Sequence, residues 1–169
     1  MQDAPVHYGN FDAPFIDDLA THLRGRRVLE IFAGNGYLAS LLAARGVDIQ
    51  ATSLFASHDG HERGFCHPVT EVDAVTAVTT LGTAADVLLV SWPTTTEAMA
   101  KAALAWGAER PIVFIGEVTD HQLGGMGLGG CASDRFFEIT AIDRAFASYR
   151  GRGRLDRAVI MRVRAEATA

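Results

Sequence analysis

The sequence predicts an α/β fold built on an open, mostly parallel sheet, with helices on both faces and a C-terminal antiparallel hairpin. Short apolar runs alternate with stretches of helical periodicity through the first two thirds of the chain, which is typical of parallel strands joined by crossover helices. The last third instead places two apolar runs around an Arg-Gly-rich turn, which is typical of a hairpin. We find no repeat and no linker, and 169 residues suffice for one core, so residues 1–169 are predicted to form a single domain.

The first half of the chain contains two helices and two strands in alternation. A first helix is predicted over Phe15–Leu23, where apolar residues recur on one face before Gly25. A strand over Arg27–Phe32 leads into a glycine turn. A helix over Tyr37–Ala44 and a strand over Val47–Ser53 follow.

Three further strands and two helices are predicted before residue 116. They are a short strand over Val69–Val72, a helix over Ala74–Leu81, a strand over Asp86–Ser91, a helix capped by Thr95 or Thr96 that runs to Trp106, and a strand over Pro111–Ile115. The C-terminal hairpin is predicted from Phe136–Ile142 and Ala158–Val163, around the turn at Arg150–Arg154.

Composition argues for a protein of the cytoplasm. No apolar run approaches the roughly 20 residues needed to cross a bilayer. The polar N-terminus lacks the basic start and apolar stretch of a secretion signal. The two cysteines, Cys66 and Cys131, are expected to stay reduced.

Charge is distributed unevenly along the chain. The net charge is −5, yet the stretch from Arg144 to Arg164 holds seven arginines and one acid, Asp156. Nucleic-acid contact through Arg150, Arg152 and Arg154 is one interpretation of this stretch, and a solvated hairpin is the other. No membrane contact is expected, and the sequence leaves the oligomeric state open.

A glycine turn follows the first strand, in the segment Glu30–Gly36. In an open α/β sheet, ligands bind at the carboxyl ends of the strands, and glycines let the backbone approach a ligand closely. The Lys-Ser/Thr of a phosphate loop is absent after Gly36, and a dinucleotide fingerprint is only partly met. A tight turn without a ligand is the alternative interpretation.

The segment VLEIFAGNGYLASLLAARG, residues 28–46, resembles the first motif of the class I (Rossmann-like) S-adenosylmethionine-dependent methyltransferase superfamily. Its FAGNG form is similar to that of amino-group methyltransferases. The resemblance implies that S-adenosylmethionine is the cofactor and that four residues line the site of its methionine part: Glu30, Ala33, Gly34 and Gly36.

Other cofactor-binding positions follow from the same resemblance. The family places an acid at the end of the second strand to bind both ribose hydroxyls, where this chain has Ser53. A serine makes fewer and weaker hydrogen bonds than a carboxylate. Asp73 is expected to accept from the adenine amine, with Ala74 beside the ring. As a structural alternative, Asp73 caps the helix that follows.

Ser91-Trp92-Pro93-Thr94 at the end of the fourth strand resembles the catalytic tetrapeptide of amino-methyltransferases at Ser91 and Pro93. In that motif the first side chain and the next backbone carbonyl accept hydrogen bonds from the target amine. Trp92 would supply a flat face for the substrate. Glu117, after the fifth strand, is a further candidate as a base or an orienting group. A strand-terminating Trp-Pro in the core is the structural alternative.

The sequence therefore predicts a methyltransferase whose acceptor is a nitrogen of a small molecule or a nucleobase. A non-catalytic methyltransferase-like binding module or partner subunit is the alternative, favoured by Ser53 and Thr94. Another nucleotide-dependent enzyme is a third class.

Two loops have no assigned role. Four potential metal ligands fall within ten residues at His58, His61, Cys66 and His67, but their spacing matches no zinc motif, so no metal is predicted. We interpret Ser57-His58-Asp59-Gly60 as a loop above the cofactor. The glycine-rich loop Gly124–Gly130 is either a lid over the substrate or a surface loop.

Overall fold

The computed structural model describes residues 7–56, 64–119 and 130–168. Its seven strands form one sheet. They are β1 (Arg27–Ile31), β2 (Asp48–Ser53), β3 (Val69–Glu71), β4 (Val87–Ser91), β5 (Ile112–Glu117), β6 (Thr140–Ala145) and β7 (Asp156–Val163). The strand order is β3-β2-β1-β4-β5-β7-β6. The first five strands run parallel, and β7 pairs antiparallel with both β5 and β6.

Helices cover both faces of this sheet. They are α1 (Ala13–Leu23), α2 (Tyr37–Ala43), α3 (Ala74–Thr80), α4 (Ala98–Trp106) and α5 (Asp134–Ile139). One apolar layer contains buried residues of α1 and α2, and the other contains those of α3, α4 and α5. Because β4 and β5 are buried between the two layers, they read as continuous apolar runs in the sequence. The predicted α/β fold class is confirmed.

The segment Phe136–Ile142 was predicted as one strand, and this is wrong for its first half. Phe136 and Phe137 lie in α5 and are both buried, whereas consecutive strand residues point to opposite faces of a sheet. Both rings pack on Phe114 of β5, with centroids 5.4 and 5.5 Å away. The pairing strand β6 begins only at Thr140.

Helix α4 starts later than its predicted cap. Its first residue is Ala98, and the preceding Glu97 makes no side-chain capping bond. The hydroxyl of Thr96 still accepts a hydrogen bond from the Ala98 N–H, at 3.4 Å. The other predicted strands and helices are confirmed to within one or two residues at each end.

The hairpin turn between β6 and β7 lies at the carboxyl edge of the parallel strands. The register pairs Glu117, the last residue of β5, with Asp156, the first residue of β7. The N–H of Val118 continues this pairing by donating to the carbonyl of Leu155 at 2.8 Å. The Arg-rich turn is therefore at the edge where β1 and β4 also end.

A buried carboxylate organises this turn. Asp156 is buried, with one oxygen accepting from the Tyr149 hydroxyl and the other from the Arg152 backbone N–H, both at 2.8 Å. Tyr149 in turn packs edge-on against Phe15 of α1. Within the described ranges, no helix is long and apolar enough to cross a membrane.

We predict that Gly151→Ala destabilises the protein while Gly153→Ala, two residues away, does not. A Cβ at Gly151 would overlap the backbone carbonyl oxygen of Asp156, whereas a Cβ at Gly153 would meet nothing within 4 Å. Overpacking of this kind costs about 1–3 kcal/mol. Urea unfolding of both variants measures the difference, and equal stabilities would contradict this structure of the turn.

Candidate functional site

A pocket lies at the carboxyl ends of β1 and β4, where the sequence placed the cofactor. Its lining residues border about 580 Å³ of space that includes open solvent. Its lining residues come from the N-terminal segment, the end of β1 with its glycine turn, the start of α2 and the end of β4: His7, Tyr8, Phe11, Glu30, Phe32, Ala33, Gly34, Asn35, Tyr37, Leu38, Ser91, Trp92 and Thr94. The structure thus brings together Glu30, Ala33, Gly34, Ser91 and Trp92 from the predicted set.

The turn after β1 is tightly wound. Phe32, Gly34 and Gly36 all have positive φ, at 57°, 56° and 76°. Phe32 is the unusual member, because a bulky residue rarely adopts this conformation. The Ala33 N–H donates to the Thr52 carbonyl of β2 at 3.0 Å, which ties the turn to the neighbouring strand.

Gly36 has a structural reason to be glycine. A Cβ there would lie 3.0 Å from side-chain atoms of both His67 and Val69, in addition to the strain of its φ. Gly36 therefore packs against the segment that leads into β3. Of the two predicted turn glycines, only Gly34 is among the pocket residues described here.

Glu30 is a titratable group on the pocket wall that burial perturbs strongly. Its side chain is 1% exposed, and its Oε2 atom has no hydrogen-bond partner among the described residues. Burial raises the pKa of this carboxyl from about 4.5 to about 8. A buried carboxyl with an unsatisfied oxygen on a pocket wall is poised to accept a hydrogen bond or a positive charge from a ligand.

Ser91 and Trp92 form the opposite wall. Trp92 has φ of 50°, and its N–H donates to the Ile115 carbonyl at 2.8 Å, so the chain turns sharply as β4 ends. Its buried indole N–H lies near the Tyr149 hydroxyl without forming a well-aligned hydrogen bond. Pro93 is buried, and its carbonyl accepts from the Ala132 N–H at 3.4 Å, so it supports the strand end rather than the pocket surface.

The N-terminal segment supplies pocket residues that our sequence analysis missed. The Tyr8 and Trp92 rings have centroids 6.1 Å apart, and His7 stacks on Tyr37 at 4.8 Å. Phe11 closes the group beside Tyr37 at 6.3 Å. The sequence feature that could have indicated them is the occurrence of three ring-bearing residues, His7, Tyr8 and Phe11, within five positions of an otherwise polar segment before the first helix.

Three predicted cofactor residues lie on the β2–β3 side of the site. Ser53 ends β2 and is buried. Asp73 is exposed and caps α3: one carboxylate oxygen accepts from the N–H groups of Val75 and Thr76, and the other from the Thr76 hydroxyl. These bonds, led by that of the hydroxyl, lower the Asp73 pKa. Ala74 packs into the core.

Glu117 has a structural partner. Its carboxylate accepts a hydrogen bond from the Gly130 N–H, and its own N–H contacts the Cys131 sulfur at 3.4 Å. Glu117 thereby anchors the segment before α5. Among the residues described, it is not part of the pocket lining.

The two unassigned loops are largely outside the described residues. His58 and His61 lie there, as does the glycine-rich loop up to residue 129. In the described ranges, no group of three His, Cys, Asp or Glu side chains is placed to hold a metal ion.

Comparison with known proteins supports the fold. No family model matches the sequence, and no curated protein matches it. Among solved structures, a mutant of MtNAS in complex with S-adenosylmethionine is similar with a TM-score of 0.59 and 15% identity, over 89% of this chain. This chain spans only 62% of that protein's length.

Two methyltransferase structures are also similar. The mitomycin 7-O-methyltransferase MmcR has a TM-score of 0.55 and 14% identity over 89% of this chain and 53% of its own. The glycopeptide N-methyltransferase MtfA, complexed with sinefungin, has a TM-score of 0.53 and 13% identity over 96% of this chain and 97% of its own. The chain has the Rossmann-like fold of class I S-adenosylmethionine-dependent methyltransferases.

Burial of Glu30 predicts a specific pH dependence of stability. Because the folded carboxyl has the higher pKa, the folded state binds more protons than the unfolded state between about pH 4.5 and pH 8. Relative to Glu30→Gln, the wild type should therefore lose stability as pH rises through this range, by about 1.4 kcal/mol per pH unit. Urea unfolding of both proteins across this range measures the slope. A constant difference between them would contradict the burial of Glu30.

Proposed function

We propose that the protein is an S-adenosylmethionine-dependent methyltransferase that methylates a nitrogen of a flat small molecule or nucleobase. The observation that carries the proposal is the buried carboxyl of Glu30, with an unsatisfied oxygen, beside the strained glycine turn of Ala33 and Gly34. The similar solved structures support the fold alone, so the assignment of activity depends on the chemistry of this pocket.

The residues present fit the amino-acid end of the cofactor. That end carries an ammonium and a carboxylate, and both need partners at short range in a partly closed site. Glu30 would accept from the ammonium, and the Gly34 N–H of the turn would donate to the carboxylate, because the Ala33 N–H already donates to Thr52. The aromatic rings of Tyr37 and Phe11 offer favourable faces for a cationic sulfonium.

The nucleoside end has weaker support. Ser53 would supply one hydroxyl toward the ribose, where a carboxylate would accept two charge-assisted bonds. One carboxylate oxygen of Asp73 already accepts two hydrogen bonds in α3, and the other accepts one and retains capacity for one more. We therefore expect cofactor affinity to depend more on the Glu30 end than on the ribose.

Positioning of the acceptor is the contribution of β4. When bound, S-adenosylmethionine supplies an electrophilic methyl group: the nitrogen lone pair forms the new C–N bond as the C–S bond breaks, and sulfur keeps that electron pair. The Ser91 hydroxyl and the Trp92 carbonyl would accept hydrogen bonds from the target amine and direct its lone pair toward the methyl carbon. The nitrogen then releases its proton to solvent, and alignment alone can supply much of the acceleration.

A non-catalytic binding module is the second candidate. It is favoured by Ser53 in place of an acid and by Asp73, whose carboxylate is engaged as a helix cap. Such a module would keep the fold and bind the cofactor weakly or not at all. Titration with the cofactor separates the two candidates.

Calorimetric titration with S-adenosylmethionine and S-adenosylhomocysteine should show binding of both ligands in the micromolar range. Glu30→Gln should weaken it about tenfold or more, because the ammonium loses a charged partner. Gly34→Val should abolish it, since valine disfavours positive φ and would crowd the pocket. The exposed Glu138→Gln serves as the control and should bind like wild type. No binding by the wild-type protein would overturn the proposed cofactor.

Cofactor binding should also release a proton from Glu30. With its pKa near 8, this carboxyl is mostly protonated at neutral pH, and a bound ammonium would lower that pKa by direct attraction. The binding enthalpy should then vary with the ionisation enthalpy of the buffer, by an amount approaching one proton per site. Glu30→Gln should remove this variation. If it persists unchanged in the variant, another group loses the proton and Glu30 does not meet the ammonium.

A further inference from the structure

The Arg-rich turn of the β6–β7 hairpin lies beside the pocket rather than at a remote surface. The register of β5 and β7 brings it to the carboxyl edge of the sheet. Tyr149, at the start of the turn, has its hydroxyl near the buried indole N–H of Trp92. The turn and the proposed acceptor wall are therefore neighbours.

The N-terminal segment connects the two directly. Asn10 donates from its side chain to the Arg150 carbonyl at 2.9 Å and from its backbone to the Tyr149 hydroxyl at 3.4 Å. Tyr8, two residues earlier and so within roughly 7 Å along the backbone, lies beside the Trp92 ring, with the two ring centroids 6.1 Å apart. One short stretch thus contacts both the Trp92 ring and the backbone of Arg150.

Within the described residues, no ion pair neutralises Arg150, Arg152 or Arg154. The only acid between residues 147 and 157 is Asp156, and neutral donors already occupy both of its oxygens. By contrast, Arg27, Arg45 and Arg162 each pair with an aspartate elsewhere in the described structure.

The three guanidinium groups remain available at the surface. Arg150, Arg152 and Arg154 are all exposed. The Arg150 side chain donates only to the Ala147 carbonyl, and those of Arg152 and Arg154 have no partner in the part of the chain that the structure describes. An anion is the ligand that such groups recognise, and the planar fork of arginine matches phosphate oxygens.

The turn holds its shape without a ligand. Gly151 packs directly on the Asp156 backbone, and the Asp156 carboxylate joins Tyr149 to Arg152. The positions from which the arginines project are therefore set before a ligand arrives, which lowers the ordering cost of binding.

We infer that Arg150, Arg152 and Arg154 bind a phosphate of the methyl acceptor, while the aromatic wall of Tyr8 and Trp92 receives its flat ring. The substrate class is thus a phosphate-bearing base, either a free nucleotide or a nucleotide within a strand. Flat bases stack on aromatic side chains regardless of their identity, and phosphate contacts fix their position. The placement of the flat ring on Tyr8 and Trp92 rests on the proposed function. The phosphate site does not, because it is inferred from the arginines of the turn alone.

The test compares nucleosides with their 5′-monophosphates, for adenosine, guanosine, cytidine and uridine, by calorimetry with S-adenosylhomocysteine present. At least one monophosphate should bind wild type about tenfold or more tightly than its nucleoside. The triple variant Arg150→Gln, Arg152→Gln, Arg154→Gln should lose this preference and keep its nucleoside affinity. The control triple variant Arg24→Gln, Arg26→Gln, Arg135→Gln removes equal charge from exposed positions elsewhere and should behave as wild type.

A second arm distinguishes the source of the phosphate. A short single-stranded RNA or DNA of mixed sequence is titrated at several salt concentrations. Tight binding of the oligonucleotide, with a salt dependence that falls in the triple variant, assigns the phosphate to a strand. Tight binding of the monophosphate alone assigns it to a free nucleotide.

Three outcomes would overturn the inference. The first is that wild type binds nucleoside and nucleotide equally and binds no oligonucleotide. The second is that both triple variants lose the preference for the monophosphate to the same extent. The third is that the Arg150, Arg152, Arg154 triple variant keeps the full preference. Titration of the same samples with S-adenosylhomocysteine alone distinguishes failure of this inference from failure of the proposed function. Phosphate binding without cofactor binding would refute the proposed methyltransferase but not the phosphate site.

Discussion

The parallel pairing of β1 with β4 is the constraint on which the pocket depends. Glu30 lies opposite Leu89 in this register, so the two strands end side by side. The turn after β1 and the Ser91-Trp92 corner after β4 therefore face each other across one cleft. Burial of both strands between two apolar layers holds the cleft in place, because neither strand can slip without exposing its side chains.

Local strain and an unsatisfied carboxyl oxygen are concentrated at this same edge. In the described residues, three non-glycine residues have positive φ: Phe32, Trp92 and Ala132. Phe32 follows β1 and Trp92 follows β4. The N–H of Ala132 donates to the carbonyl of Pro93, next to Trp92. Together with the buried Glu30 carboxyl, they represent a cost in folding free energy that the rest of the core must offset. Such costs are typical of sites built for a ligand, which is why the pocket and not the fold carries our proposal of function.

The C-terminal hairpin has a role beyond closing the sheet. Because β7 runs antiparallel to β5, the turn that precedes it returns to the carboxyl edge. A buried network centred on Asp156 then ties this turn to α1 through Tyr149 and to the N-terminal segment through Asn10. The aromatic wall and the arginines are thus parts of one structural unit, although Tyr8 and Trp92 precede Arg150 by 142 and 58 residues in sequence.

Local sequence determined most of the architecture and five of the thirteen residues that line the pocket. Apolar runs and glycines indicated the five parallel strands, the hairpin and the turn beside Glu30, since these features depend on period and backbone freedom within a few residues. The helix at Phe136 could not be read this way, because its two adjacent rings are explained only by packing on Phe114. Tertiary structure alone decided that Tyr8 lies beside Trp92, that Asp73 and Glu117 have structural partners, and that the arginines lie beside the cleft. Each of these is a contact between distant segments, and pairing across the sheet, not local periodicity, determines which segments meet.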